Sequence, residues 1–234
     1  MRIAPTRQRG RSGRGAAAVR RHHWETIYRT RGEEALSWHQ DEPSLSLRLI
    51  SRVALRSARI VDVGGGSSPL AERLRGVGYR HITVIDVSRN ALDRNRVRSA
   101  APGRGIRYRP ADITRVRTLG RFDVWHDRAL FHFLTDSRDR AHYVDLAART
   151  VPVGGHLVMA SFSRDGPDKC SGLPVVRYDP ADLADEFGPR FALRSSHREE
   201  HRTPWGALQP FTYAVLERVR ARKPVREAQR APTE

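Results

Sequence analysis

Arg59-Ile60-Val61-Asp62-Val63-Gly64-Gly65-Gly66-Ser67-Ser68-Pro69-Leu70 is the stretch on which the reading of this chain turns. An apolar run holding one acid breaks into three glycines, and a helix-like segment starts at Leu70. The pattern predicts a strand, a tight turn and a helix start, the nucleotide-binding corner of an α/β sheet. Glycine permits positive φ, brings backbone N–H groups within reach of a ligand, and clears space that a Cβ would fill. A glycine run by itself equally fits an ordinary turn, so the segments around it carry the argument.

Upstream, His23 to Tyr28 begins a helical segment with Trp24 and Tyr28 four residues apart on one face, and Trp38 follows before an amphipathic helix over 44–53. The three aromatic side chains admit two readings, closure over a ligand or anchoring of the N-terminal arm on the core. Downstream, a helix over 70–77 leads to the β-branched run His81-Ile82-Thr83-Val84-Ile85-Asp86, a second strand ending on an acid. Ser88 is the expected N-cap of a helix over 89–99, with Pro102-Gly103 closing that crossover. A short third strand over 106–109 precedes Ala111-Asp112-Ile113, and Phe122-Asp123-Val124-Trp125-His126-Asp127 is the fourth. A helix over 136–151 then stops at Pro152 and Gly154-Gly155 before a fifth strand over 156–161. Strand alternating with helix through so many cycles implies a mainly parallel sheet covered on both faces. The end of the chain differs: a long loop over 162–180, a helix over 182–187, and strands over 191–200 and 210–219 with a short connection, hence an antiparallel pair at one edge.

The chain has 234 residues and a net charge of +17, a balance that ordinarily points to nucleic acid or an acidic membrane surface. Distribution weakens this. Residues 1–21 hold seven arginines and no acid, residues 218–234 six bases and two acids, so the ends supply +11 of the +17. The expected organisation is one domain over residues 22–218 between basic disordered tails at 1–21 and 219–234. Cys170 is the single cysteine, which excludes an intrachain disulfide and a multi-cysteine metal site and fits a reducing, cytoplasmic setting. No apolar run approaches the roughly 20 residues of a membrane helix, so no membrane partner is expected.

Asp62-Val63-Gly64-Gly65-Gly66, Asp86 closing strand two, Asp112 after strand three, Phe122-Asp123-Val124 in strand four and Pro152-Val153-Gly154-Gly155-His156-Leu157 before strand five together resemble a class I S-adenosylmethionine-dependent methyltransferase. The resemblance implies a Rossmann-like sheet of seven strands, mainly parallel with an antiparallel last strand and helices on both faces. It implies S-adenosylmethionine as cofactor, with Gly64, Gly65 and Gly66 lining its methionine and ribose end, Asp86 beside Val87 accepting from the ribose hydroxyls, and Asp112 with the Ile113 backbone at the adenine edge. Carboxylates only accept, and these ligand groups donate. A narrower likeness, carried by Trp24, Tyr28, Trp38, Gly64, Asp86-Val87, Asp112-Ile113 and Arg128, is to small lysine methyltransferases of the elongation factor 1A and citrate synthase type. It implies an aromatic lid, where a sulfonium beside a ring gains about 0.5 to 2 kcal/mol. Trp125 to His132 departs from the run associated with those enzymes, so their substrate is not carried over. Trp-His-Asp-Arg at 125–128 and Thr-Pro-Trp-Gly at 203–206 resemble bacterial methyltransferases without an assigned substrate.

Methyl transfer from a sulfonium needs alignment and exclusion of water more than a catalytic triad, and the sequence fixes no catalytic residue. If the acceptor arrives protonated, Asp127, His126 and His132 are the candidate bases, each with a structural alternative: a core histidine for His132, an ion pair with Arg128 for Asp127. Asp127 also has a reading as a contact to the cofactor's amino group. The expected acceptor is a small molecule or a protein side chain, walled by residues 163–177 and 201–210, with Arg202 and Trp205 as contacts or, for Trp205, a core plug. The rival readings are a nucleic-acid-binding or RNA-methylating protein working through its tails, and an NAD-dependent oxidoreductase. The latter shares the glycine turn but meets Pro69 where a third glycine would fall and gives Asp112 no role.

Overall fold

Alternation decides the centre of the molecule. In β1 (Arg59–Val63) Ile60 packs into one apolar cluster and Val61 and Val63 into another, so both faces of the strand are covered and its residues read as a continuous buried run. The computed structural model describes residues 12–99 and 105–220. It contains α1 (Ser12–Thr30), α2 (Ser44–Val53), β1, α3 (Leu70–Gly76), β2 (His81–Asp86), α4 (Arg89–Arg98), β3 (Ile106–Pro110), β4 (Val124–Arg128), α5 (Ser137–Thr150) and β5 (His156–Phe162). After these come β6 (Lys169–Cys170), β7 (Leu173–Pro174), α6 (Pro180–Phe187), β8 (Phe191–Arg202) and β9 (Leu208–Arg218).

The main sheet has seven strands in the order β3-β2-β1-β4-β5-β9-β8, the first five parallel and β9 antiparallel to both β5 and β8. Strand order reverses between β1 and β4, and the carboxyl ends of those strands frame the crevice where open α/β sheets bind ligands. On one face α5 and α6 bury Tyr143, Leu146, Leu183 and Phe187 against Trp125, Leu157 and Met159; on the other α2 and α3 bury Leu49, Ile50 and Leu74 against Ile60, Val124 and Val158. The fold and the antiparallel ending are those the sequence implied.

Several boundaries differ. The stretch 12–21, expected as disordered tail, forms the first half of α1, and the expected domain start at residue 22 falls inside that helix. Ala16, Ala17 and Ala18 supply the highest helix propensity available, and the helix is then tied down by side chains further along it. The long loop over 162–180 contains the β6-β7 hairpin. α6 starts at Pro180 rather than 182, because Asp179 caps it and exchanges hydrogen bonds with Asp182 in a capping box. Residues 1–11, Pro102-Gly103 and 221–234 lie outside the described residues. No described helix is long and apolar enough to cross a membrane.

Candidate cofactor site

β1 ends in a turn whose backbone only glycine adopts without strain. Gly64 has φ +71° and Gly66 φ +53°, and the Gly64 N–H donates to the Ile85 carbonyl at 2.7 Å, tying the turn to β2. The carboxyl end of β2 then delivers Asp86 beside it. Asp86 Oδ2 accepts from the Gly66 N–H at 3.0 Å and Oδ1 from the Ser88 N–H at 2.8 Å. Burial pushes the Asp86 carboxyl up to about 6; those two N–H donors pull it down, while Asp62 and Glu25 add to the rise.

Beyond β3, Asp112 caps a short 3-10 turn over Ile113–Arg115, accepting from the Thr114 N–H at 3.0 Å. Asp86 and Asp112 line one hollow of about 780 Å³ of empty space, counting its mouth, together with Gly64, Val87 and Ile113. Its roof comes from elsewhere. Trp24 and Tyr28 on α1, one helical turn apart, meet Trp38, and Phe133 stands edge-on to Trp24 with ring centroids 5.0 Å apart. The anchoring reading of the aromatic trio holds, because these rings pack against the small core of Ile27, Leu36 and Ala91; they also line the hollow.

α1 is held in place by polar clamps. The Glu25 carboxylate accepts from the Arg89 N–H at 2.8 Å, the Asn90 N–H at 3.2 Å and the Ser88 hydroxyl at 2.9 Å, so one helix's acid completes the N-terminus of α4. Arg20 reaches across the rim. Its Nη2 donates to Asp112 Oδ2 at 3.2 Å and to the Thr114 hydroxyl at 2.6 Å, and its Nη1 to Asp139 at 3.4 Å.

Of the residues singled out in the sequence, Trp24, Tyr28, Trp38, Gly64, Asp86, Val87, Asp112, Ile113 and Arg128 line this hollow. Gly65 instead faces a neighbouring cleft with Ser67 and Ser68, and Gly66 acts through its backbone, holding Asp86 and accepting from Asn95 at 2.6 Å. Arg128 is taken up by protein: it pairs with Glu199 at 3.2 Å and donates to the Trp38 carbonyl at 3.0 Å and the Tyr213 hydroxyl at 3.1 Å.

Asp127 does not reach the hollow. It is fully buried on the α5 face, where Oδ1 accepts from the Leu130 N–H at 2.9 Å and Oδ2 from the Tyr143 hydroxyl at 2.5 Å. Burial pushes its carboxyl up to about 6, with those donors opposing. The period of two along β4 places it opposite His126, and the expected ion pair with Arg128 is replaced by the Arg128–Glu199 pair. His126 is buried between Asp62 Oδ1 at 2.7 Å and the Ser46 hydroxyl at 2.9 Å, its register partner in β1 being Asp62 itself. His132 is fully buried between Phe133 and Phe162, and burial first, then Arg128, drives its pKa down to about 3, so the ring is neutral. Neither His126 nor His132 lines the hollow. Trp205 is 60% exposed at the tip of the β8-β9 hairpin and plugs no core.

Sequence reading missed Arg20, Leu130, Phe133 and Cys170, which also line the hollow. Arg20 was legible in one respect: Arg20, Trp24 and Tyr28 recur every four residues along one helix face.

The comparisons with known proteins agree with this geometry. Residues 60–155 match the family model described as a methyltransferase domain. The chain is 30% identical over 147 residues to the eEF1A lysine and N-terminal methyltransferase of Danio rerio, covering 61% of this chain and 21% of that protein. The Homo sapiens protein of the same name is 27% identical over 224 residues, covering 87% of this chain and 32% of its own length. The chain thus spans about a fifth to a third of these relatives. Among solved structures, Burkholderia thailandensis 1,6-didemethyltoxoflavin-N1-methyltransferase, with S-adenosylhomocysteine bound, superposes with a TM-score of 0.67 at 17% identity over 93% of this chain and 95% of that one. The Bradyrhizobium japonicum N-methyltransferase NodS, also with S-adenosylhomocysteine, gives 0.62 at 17% over 84% and 98%. With the strand order, the glycine turn and the two carboxylates at one hollow, the methyltransferase-domain match over residues 60–155 supports a class I S-adenosylmethionine-dependent methyltransferase.

Proposed function

We propose that this chain moves the methyl group of S-adenosylmethionine onto a nitrogen of a small molecule or of a protein side chain. The observation that carries the reading is the convergence of Asp86, Asp112 and the Gly64 turn on one hollow under Trp24, Tyr28 and Trp38. The residues suit the cofactor. A Cβ at Gly64 would stand 2.5 Å from Leu130 Cδ1, and one at Gly66 would strike the Tyr28 hydroxyl, so the cradle exists only because both are glycine. Each Asp86 oxygen accepts one backbone N–H, and a carboxylate has about four acceptor sites, which leaves capacity for two ribose hydroxyls.

When bound, the cofactor supplies an electrophilic methyl on sulfur; the chain's part is to orient and to exclude water. Asp86 fixes the sugar, Asp112 and the Ile113 backbone fix the base, and the rings of Trp24, Trp38 and Phe133 give a cation a favourable wall worth about 0.5 to 2 kcal/mol. That wall serves a sulfonium and an amine acceptor alike. Asp127, His126 and His132 stand outside the hollow, so no side chain is assigned as base; a nitrogen that enters unprotonated needs none. The relatives named for lysine and ring-nitrogen methylation support a nitrogen acceptor.

Isothermal titration with S-adenosylhomocysteine tests the cofactor; micromolar, one-to-one binding is expected, and no heat at millimolar ligand refutes the reading. Incubation with methyl-labelled cofactor and size-fractionated extract then sorts the acceptor: label in the small-molecule or protein fraction is expected, label in nucleic acid alone refutes the acceptor class.

A further inference from the structure

The crossovers of the parallel sheet are not alike. α3 and α4 follow β1 and β2 and bury Leu74 and Leu92 on one face, but β3 reaches β4 through a 3-10 turn and extended chain, with no α-helix. On the other face α5 and α6 pack against Trp125, Leu157 and Met159 of β4 and β5, so the amino half of β2 and β3 is left without a helix over it. Alternation tells what stands there. Ile60, Ile82 and Ile106 join the cluster under α2 and α3, so their strand neighbours Arg59, His81, Thr83 and Arg107 share the opposite face. Register sets them side by side, Arg59 with His81 and Thr83 with Arg107.

These four side chains, with Ser57 and Arg80, line an open cleft of about 1280 Å³ of empty space, counting its mouth, at the end of the strands away from the cofactor hollow. No carboxylate lines it. Asp123 accepts from the Arg59 backbone N–H at 2.8 Å but is not part of the lining. Arg59, Arg80, His81 and Arg107 are exposed, and among the described residues neither Arg80 nor Arg107 has an ion-pair partner. Exposed arginines elsewhere, such as Arg164 and Arg198, reach carboxylates at 2.6 and 2.7 Å. Like charges gathered without a counter-charge repel, and a bound anion relieves that repulsion. We propose that this cleft binds the phosphodiester backbone of a nucleic acid without reading its sequence. A guanidinium matches the oxygens of a phosphate with paired donors. The cations are spread, at about 4.8 Å between strands and about 6.7 Å between alternate residues, which suits a line of phosphates better than one ion. Phe122 is 7% exposed and lies under the Arg59 guanidinium, 5.6 Å from ring centroid to Cζ, so the lining offers no exposed Phe, Tyr or Trp for a base to stack on. The antiparallel β9 also delivers the chain to this edge of the sheet, where the Arg218 N–H donates to the Gly155 carbonyl at 2.8 Å, and the sequence beyond Arg220 holds four more bases against two acids. The nucleic acid is here a docking partner and not the methyl acceptor, and the proposal does not depend on the cofactor reading.

Fluorescence anisotropy of a labelled single-stranded RNA of about 20 mixed-sequence nucleotides, between about 50 and 200 mM salt, tests this on three full-length proteins. They are the wild type, the cleft pair Arg80→Glu with Arg107→Glu, and a control pair of equal charge change, Arg29→Glu with Arg48→Glu, exposed on α1 and α2. The cleft pair is expected to bind at least tenfold more weakly, and its slope of log affinity against log salt to fall by about 1.4, two phosphate contacts at about 0.7 each. The control pair is expected to keep the wild-type slope. Unchanged melting temperatures identify folded variants; should the glutamates unfold the chain, Arg80→Ala with Arg107→Ala replaces them with the same expected loss of slope. No RNA binding by the wild type overturns the proposal. Equal losses in both pairs, which net charge alone would give, or an unaltered slope in the cleft pair, which places binding in the basic ends, overturn it too. So does binding of phosphatidylserine vesicles, but not RNA, with the same dependence on Arg80 and Arg107, since the site would then meet a membrane surface. Failure of the wild type to bind S-adenosylhomocysteine sinks the cofactor reading and leaves this one standing.

Discussion

The Asp86 carboxyl is 7% exposed and raised to about 6 by burial, yet its place at the end of β2 is useful only when it is ionised and able to accept. Ribose hydroxyls donating to the ionised form would lower its pKa in the complex, so binding releases a proton near pH 6. Affinity for S-adenosylhomocysteine should therefore be flat above about pH 7 and weaken by up to tenfold per unit below about pH 6, measured by titration calorimetry from pH 5 to 8. Asp86→Asn should remove that pH dependence and cost roughly 10- to 100-fold in affinity, in line with about 1.5 to 3 kcal/mol for a hydrogen bond to a charged group. A pH-independent wild type would mean that Asp86 does not contact the ligand. Gly66→Ala combines a positive φ, costing about 1 to 2 kcal/mol, with displacement of Tyr28; reduced melting temperature and at least tenfold weaker ligand binding are expected. At this scale the sequence was informative wherever chemistry follows from position in the chain, as for the acids ending β2 and following β3. It was misleading for Asp127, because alternation along a strand says that neighbours part company and not which of them meets the ligand.

Among the elements, β4 and the turn after it show how a buried acid becomes structural. Asp127 takes the N–H groups of Leu130 and Phe131 and the hydroxyl of Tyr143 from α5, closing the chain reversal that carries Leu130 and Phe133 to the hollow. Its pKa is raised from 3.8 to about 6. Between those values the folded state holds more protons than the unfolded one, so the contribution of Asp127 to stability is greatest at low pH and declines as pH rises towards 6. Asp127→Asn escapes that decline. Its stability relative to wild type, from urea melts, should improve by about 2 kcal/mol between pH 4.5 and pH 7. His132 titrates with the opposite sign, being neutral when folded, but it is common to both proteins and cancels in the difference. An unchanged difference would show that Asp127 is not desolvated as described. The start of α4 was legible here, since Ser88 caps it by accepting from a backbone N–H as its side chain suggests. The start of α1 was not, because its lower half is fixed by Arg20 meeting residues about 90 to 120 positions away.

For the molecule as a whole, a ligand gripped by α1, β2 and the turn after β3 joins parts of the fold that otherwise meet only at their edges. Saturation with S-adenosylhomocysteine at 100 times its dissociation constant should add about 2.7 kcal/mol and raise the melting temperature by roughly 5 to 10 °C, read by thermal shift. The sequence by itself determined the order of strands and helices, the parallel sheet with its reversed ending, the glycine corner and the two acids, because each follows from local periodicity, turn chemistry or spacing along the chain. Only the tertiary structure decided that His126 faces Ser46 and Asp62 while Asp127 faces Tyr143, that Arg128 belongs to Glu199, and that Arg20 stands at the rim beside Asp112. Those pairings depend on which face each crossover helix covers and on how α1 docks across the sheet. Such contacts join residues remote in the chain, and no local pattern encodes their partners.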